Sequence, residues 1–162
     1  MTDADETSAL TGPPMGVTPI LTVDDAAKAI DFYKRAFGAK EIARIAAPGG
    51  AGLMHARLEI FGSLVVLMDD LPEFRAMGVS ARPPRVLGGT PVTLHLQVVD
   101  ATGAWARAVA AGATALIPLA DVFWGERYGR LRDPFGHEWT IAQMLEVLDD
   151  DQVRRAAVVA TA

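Results

Sequence analysis

Four landmarks in the first half of this sequence return in the second half. Val23-Asp24 reappears as Val99-Asp100, Gly38-Ala39 as Gly112-Ala113, Ala56-Arg57-Leu58 as Gly129-Arg130-Leu131, and Phe61-Gly62 as Phe135-Gly136. The shift is about 74 residues each time, and a near-constant shift marks two copies of one supersecondary unit. Neither copy is long enough to bury a good core alone, so the two are expected to pack together. No other feature restricts the possible folds as strongly.

The unit reads as βαβββ. Val17 to Val23 is a β-like run, and Pro19 within it belongs at a sheet edge or a bulge, because proline cannot donate to a ladder. Asp24 or Asp25 is placed to cap a helix over Ala26 to Phe37, accepting from the free N–H groups of its first turn. Ala26, Ile30, Tyr33 and Phe37 recur at helical spacing as its buried stripe, so Tyr33 reads as core, and Gly38 ends the helix. A strand over Lys40 to Ala46 and a turn at Pro48-Gly49-Gly50 follow. Met54 to Ile60 then alternates, with His55, Arg57 and Glu59 opposite Met54, Ala56, Leu58 and Ile60. Phe61-Gly62-Ser63 turns the chain into Leu64 to Met68, an unbroken apolar run that suggests a strand covered on both sides.

The second copy repeats this plan. Pro91 to Val99 is a strand, Asp100 caps a helix over Ala101 to Ala111, Gly112 ends it, and Ala113 to Ile117 is a strand. Strands over Tyr128 to Arg132 and His137 to Ala142 flank the turn Asp133-Pro134-Phe135-Gly136, where Pro at a corner and a closing Gly suit a tight reversal. Trp105 shares a helical face with Ala101, Ala108 and Val109 and reads as core, whereas Trp139 faces either a cleft or the helix. Between the copies, Asp69 to Gly89 is rich in Pro and Gly and has no period, which marks a flexible linker or a lid. The expected divisions are a disordered leader over 1–15, a first module over 16–70, the linker or lid over 71–90, a second module over 91–144 and a helical tail over 145–162. In the tail, Asp149-Asp150-Asp151 would cap a helix over Gln152 to Val159. The expected fold class is α+β, with two tandem βαβββ modules forming a curved mixed sheet around a cleft.

Aromatic side chains concentrate between Asp121 and Gln143, which holds two of the three Trp residues. Phe123, Trp124 and Tyr128 bracket a Gly-Glu-Arg loop. Rings beside a flexible turn form a hydrophobic plug or a ligand wall; the nearby Glu126, Arg127 and Arg130 favour the wall, since pockets combine apolar surfaces with a few polar anchors.

Composition removes several classes. The net charge is −5 with no Lys/Arg run, which argues against a nucleic-acid partner. Cysteine is absent, so disulfides and thiol catalysis are excluded and a reducing cytoplasm is the expected location. No apolar run approaches the roughly 18 residues of a membrane span, and the N-terminus lacks the basic start and apolar stretch of a secretion signal, so no membrane partner is expected. Ser63 and Ser80 have no G-x-S-x-G setting, and no phosphate-binding glycine loop is present.

The paired modules, with VDDAAKAIDFYKRAFGA in the first and FWGERYGRLRDPFGHEWTIA in the second, resemble the vicinal oxygen chelate superfamily of glyoxalase I, extradiol dioxygenases and bleomycin-resistance proteins. The MHARLEI strand and the FWGxRYG…DPFGHxW signature resemble its PhnB-like branch. In catalytic members four side chains, usually His and Glu, hold a divalent ion (Zn, Ni, Fe or Mn) that polarises vicinal oxygens of the substrate. The resemblance lays those positions on Thr18, Leu67, Leu94 or His95 (depending on register) and Thr140. Such a site normally needs three or more protein ligands, so no metal and no other cofactor is expected. A non-standard site using His55, His95 or His137 with Glu59 and Glu138 is the alternative.

The resemblance therefore implies a metal-free small-molecule-binding protein of the glyoxalase/bleomycin resistance type. Its ligand would be aromatic or amphiphilic, with an antibiotic among the candidates. Phe123, Trp124 and Tyr128 would stack on it, and Arg127, His55 and Glu126 would supply polar contacts. A lyase, isomerase or dioxygenase, metal-dependent or not, is the alternative; a structural dimer with a filled cleft is the second. Family members commonly dimerise, some by exchanging modules, so a homodimer is expected, and the long connection would permit exchange.

Overall fold

The computed structural model describes residues 16–160; the leader expected over 1–15 lies outside the described residues. The first module runs β1 (Ile20–Val23), α1 (Ala26–Phe37), β2 (Lys40–Ala46), a 3₁₀ turn (Pro48–Gly50), β3 (Leu53–Ile60) and β4 (Ser63–Asp69). The connection holds two short helices, α2 (Pro72–Ala76) and α3 (Pro84–Leu87). The second module runs β5 (Thr93–Gln97), α4 (Ala101–Ala111), β6 (Thr114–Val122), β7 (Glu126–Arg132) and β8 (Glu138–Met144), and α5 (Asp150–Ala160) follows. The strands form two four-stranded sheets, ordered β1-β4-β3-β2 and β5-β8-β7-β6. The first and last strands of each module pair parallel and the other neighbours antiparallel. This is the α+β, tandem βαβββ fold.

Local chemistry sets the helix ends. Asp25, not Asp24, caps α1 by accepting from the Lys28 N–H at 3.0 Å, and Asp100 caps α4 by accepting from Gly103 at 2.9 Å. Gly38 and Gly112 close the two helices in the left-handed region, at φ 66° and 117°, where a side chain would be strained. Asp149 caps α5 through Gln152 N–H at 2.7 Å.

Both helices pack against each other and against one face of each sheet. Leu58, Val65 and Leu67 from the first sheet join Leu131, Trp139 and Ile141 from the second in one core with the buried stripes of α1 and α4. Burying such side chains contributes about 1.5–3 kcal/mol each. The other face of each sheet points away from both helices and is the open face below.

The core is pinned at one polar point. Asp133 is 4% exposed; its carboxylate accepts from the backbone N–H of Phe135 at 2.9 Å and of His137 at 3.0 Å. It also accepts from the Tyr33 hydroxyl at 2.6 Å and the Trp139 indole at 2.9 Å. Burial, and then the Asp133 charge, push the Tyr33 phenol well above its ordinary pKa. Tyr33 lies on α1, so this carboxylate ties the first module to the turn of the second. Trp139 thus faces the helices, stacked in tilted geometry 4.9 Å from Phe37.

Four elements differ most from the sequence reading, and one of them is the strand expected over Pro91 to Val99, which spans only Thr93–Gln97. The first strand begins at Ile20 rather than Val17, just after Pro19, at the edge of its sheet. The strand expected over Ala113 to Ile117 runs on to Val122, and β7 already begins at Glu126. The connection after Asp69 carries helices too short to show a period. It is fastened by Arg75 and Arg82 to Asp70, at 2.6 and 2.8 Å, and by Arg85 to Asp24 at 2.9 Å.

Candidate ligand-binding site

Alternation along β7 decides which side chains can meet a ligand. Leu131 is fully buried under α4, and at Gly129 an added Cβ would lie 2.6 Å from the Trp105 ring on that helix. Glu126, Tyr128 and Arg130, one residue out of step, therefore face the open side. Arg127 does not. Its guanidinium holds Asp121 at 2.7 and 3.2 Å and donates to Thr102 on α4 at 3.3 Å. The hydrogen bond from Arg127 lowers the Asp121 pKa below the usual carboxylate range. Arg127, expected beside Tyr128 in the ligand set, is on the opposite face, because adjacent strand residues point apart.

The expected Gly-Glu-Arg loop is a hairpin: Phe123 to Gly125 form the turn between β6 and β7, and Glu126 and Arg127 belong to the ladder. The Phe123 and Trp124 rings meet edge-on at 4.9 Å, and Trp124 meets Tyr128 edge-on at 5.5 Å. The Trp124 indole donates to Glu126 at 2.7 Å. Behind this corner the Gly125 carbonyl accepts from the Leu145 and Glu146 N–H groups at 2.9 and 3.0 Å. A side chain at Gly125 (φ 88°) would come within 2.5 Å of the Glu146 carbonyl oxygen, so the strap fits only glycine.

Beyond the aromatic corner the same face is polar. His95 Nδ1 lies 2.7 Å from the Thr140 hydroxyl, and its Nε2 lies 3.1 Å from Gln97 Oε1. With the amide oxygen accepting at Nε2, Nδ1 is the acceptor for the Thr140 hydroxyl. Arg130 Nε stands 3.0 Å from Glu138, and Arg132 pairs with the same carboxylate at 2.9 Å. Arg130 also donates to Thr93. The Arg130–Glu138 approach is off the line of a hydrogen bond and leaves that buried N–H unpaired. Two guanidinium groups thus share one carboxylate on an open surface. The sequence reading omitted Thr93, Gln97, Arg130 and Glu138 from the ligand set; the alternation of β5, β7 and β8 was the signal for them.

His55 is on the open face of the first sheet, opposite Ile45 and beside Arg57 and Glu59. Strands β3 and β7 are each third from the strands β1 and β5 that line the seam, and no hydrogen bond among the described residues joins His55 to the aromatic corner. The structure does not bring His55 into that group.

The four positions laid out for metal ligands resolve by register. Leu94 pairs with Trp139 and packs on the core, whereas His95 pairs with Thr140, so His95 takes the third position. Leu67 pairs with Ala56 and is fully buried under the helices; its neighbour Val66 holds the open-face position. The uniform run Leu64 to Met68 hides that one-residue difference. Ile20 pairs with Val66 as His95 pairs with Thr140, so Ile20 rather than Thr18 is the counterpart in β1. The quartet is Ile20, Val66, His95 and Thr140, with one imidazole, one hydroxyl and two hydrocarbons. That donor set does not fit a divalent ion, and among the described residues no three His, Asp or Glu side chains cluster to hold one.

Comparison with known proteins adds the lineage. The model of the Glyoxalase/Bleomycin resistance protein/Dioxygenase superfamily matches residues 16–141. An uncharacterized protein of Mycobacterium tuberculosis is 46% identical over 140 residues, covering 86% of this chain and 81% of its own. An uncharacterized Arabidopsis thaliana protein is 33% identical over 132 residues, covering 76% and 74%. Among solved structures, that of TioX from Micromonospora sp. ML1 superposes with a TM-score of 0.63 at 28% identity, over 82% of this chain and 100% of that one.

Proposed function

Because the chain belongs to the glyoxalase/bleomycin resistance protein/dioxygenase superfamily, we propose that it is a metal-free binding protein of the PhnB-like branch for a planar aromatic or amphiphilic small molecule, antibiotics included. The ligand lies on the open face of the second sheet. Trp124 and Tyr128 supply ring faces, Phe123 closes the rim, and Glu126 with the Arg130–Glu138–Arg132 group anchors polar substituents. The observation that carries this reading is the junction of that aromatic corner with a polar strip at a place where relatives' chemistry calls for four metal donors and this chain offers His95 and Thr140.

The protein works as a cytoplasmic homodimer, without nucleic acid or membrane as partner. Edge strands β2 and β6 expose Ile42, Ile45, Leu116 and Ile117, and apolar side chains on open edges favour pairing with a second copy. A net charge of −5 argues against nucleic acid, and the lack of cysteine supports the cytoplasmic reading. None of the described helices is long and apolar enough to cross a membrane.

Elemental analysis of protein purified without added metal tests this reading, together with ligand binding before and after a chelator. The expected result is no stoichiometric divalent metal and binding that survives chelation. Stoichiometric zinc, nickel, iron or manganese, with binding or turnover lost on chelation, would replace sequestration by catalysis.

A further inference from the structure

A cavity of about 450 Å³ opens at the seam between the modules. Ile20 and Leu21 of β1, Leu94 of β5 and Pro84 and Leu87 of α3 form its apolar walls. It shares no residue with the aromatic corner or the polar strip. Its size is that of a small-molecule site.

Two polar side chains mark one spot in this lining. Thr22 is 5% exposed, and its hydroxyl oxygen is sealed from solvent with no hydrogen-bond partner among the described residues. A buried hydroxyl left unpaired is destabilising, which is why native structures seldom keep one. His137 lines the same cavity and reaches across the seam, with Nε2 3.1 Å from the Thr22 carbonyl. A carbonyl only accepts, so that nitrogen carries a proton, and neutral His137 keeps Nδ1 as an acceptor. The one guanidinium at the rim, Arg82, is already paired with Asp70 at 2.8 Å. The site therefore offers apolar walls, one idle hydroxyl and no uncompensated charge.

We infer that this seam cavity is a second binding site, for an uncharged and mainly aliphatic small molecule bearing one hydroxyl or carbonyl group. The alkyl part fills the space between β1, β5 and α3, and the polar group bonds the Thr22 hydroxyl once the lining side chains part enough to uncover it. Because α3 belongs to the connection between modules, occupancy also fastens that connection over the seam.

Titration with 1-octanol, followed by calorimetry and by amide NMR shifts, tests the inference; n-octane and octanoate serve as controls. Saturable binding of about one octanol per chain is expected, with the largest shifts at Thr22, Leu94 and Leu87. Octanoate should bind more weakly, since burying a carboxylate without a cation is costly. Thr22→Val keeps the shape and removes the hydroxyl. It should raise the melting temperature of the free protein and weaken octanol roughly three- to tenfold, the worth of one hydrogen bond. Leu87→Trp should fill the cavity and abolish binding; circular dichroism confirms that it folds. Trp124→Leu should leave octanol binding unchanged, which separates this site from the aromatic one. Non-saturable binding, shifts confined to the aromatic corner, or equal affinity in Thr22→Val would overturn the inference.

Discussion

The two sheets share one ladder but not one open face. Arg57 pairs with Val66 in the first sheet as Arg130 pairs with Thr140 in the second, and Ile20 meets Val66 as His95 meets Thr140. Towards the helices, the equivalent positions stay small or apolar: Ala56 and Gly129, Leu58 and Leu131, Val65 and Trp139, Leu67 and Ile141. Towards the open side they have parted. The first sheet carries Ile20, Leu64 and Val66 where the second carries His95, Glu138 and Thr140. Packing holds a core face to a narrow range of shapes, while an open face is free to take up binding chemistry. The asymmetry supports placing the proposed site on the second copy.

The largest contrast lies in the turns. Asp133 and Glu59 each stand two residues before the Phe-Gly of their turn, although in the ladder Glu59 pairs with Leu64 as Arg132 pairs with Glu138, so the second turn holds one residue more. Asp133 is buried under four donors, whereas Glu59 makes one exposed pair with Lys40 at 3.3 Å. Asp133→Ala should cost about 3–5 kcal/mol, because it strands several buried donors. Glu59→Ala should cost less than about 1 kcal/mol. Chemical denaturation of both variants checks the difference, and comparable losses would break the asymmetry.

A smaller effect is expected on the helix side. At Gly129 an added methyl meets the Trp105 ring at 2.6 Å and the Leu119 backbone at 3.0 Å. Gly129→Ala should destabilise by about 1–3 kcal/mol through overpacking, and Ala56→Gly in the first copy by about 1 kcal/mol. Thermal melts of the pair separate the two mechanisms: Trp105 emission should shift in Gly129→Ala alone.

The smallest is electrostatic. In the first module the Arg44 hydrogen bond, helped by Lys34, lowers the Glu41 pKa to about 2 from 4.5. A depressed carboxylate stabilises the fold above its unfolded pKa and loses that contribution as pH falls through the folded value. Wild type should therefore exceed Glu41→Gln in stability by a constant, modest amount above pH 4.5, and the gap should close by about pH 2. A gap that persists to lower pH would point to packing instead of charge.

Much of this was legible in the sequence because it is local or periodic. The repeat, the α1 stripe with Tyr33 inside, the caps at Asp100 and Asp149 and the DPFG turn all follow from short-range spacing. The misplaced parts share a physical cause. Leu64 to Met68 is apolar throughout, so nothing in it says which residue faces the helix, and the sequence places Leu67 where Val66 stands. The β6–β7 hairpin turns on Phe123-Trp124-Gly125, and its glycine reads as the start of a Gly-Glu-Arg loop, so Glu126 and Arg127 read as loop although both belong to the ladder and the face of Arg127 is hidden. Asp133 looked like an ordinary turn residue; its partner Tyr33 is 100 positions away in the chain. Long-range pairing of that kind leaves no local signature.

The most direct test of the account is a Trp-emission titration of chelator-treated protein with a panel of planar aromatic molecules. It should be run in parallel on wild type, Tyr128→Ala and His55→Ala. The account predicts saturable quenching in wild type with about one ligand per chain. Tyr128→Ala should weaken it about tenfold, in line with the loss of an aromatic anchor, and His55→Ala should leave it unchanged. Quenching that appears only after a divalent metal is restored, or that depends on His55 as much as on Tyr128, would contradict it.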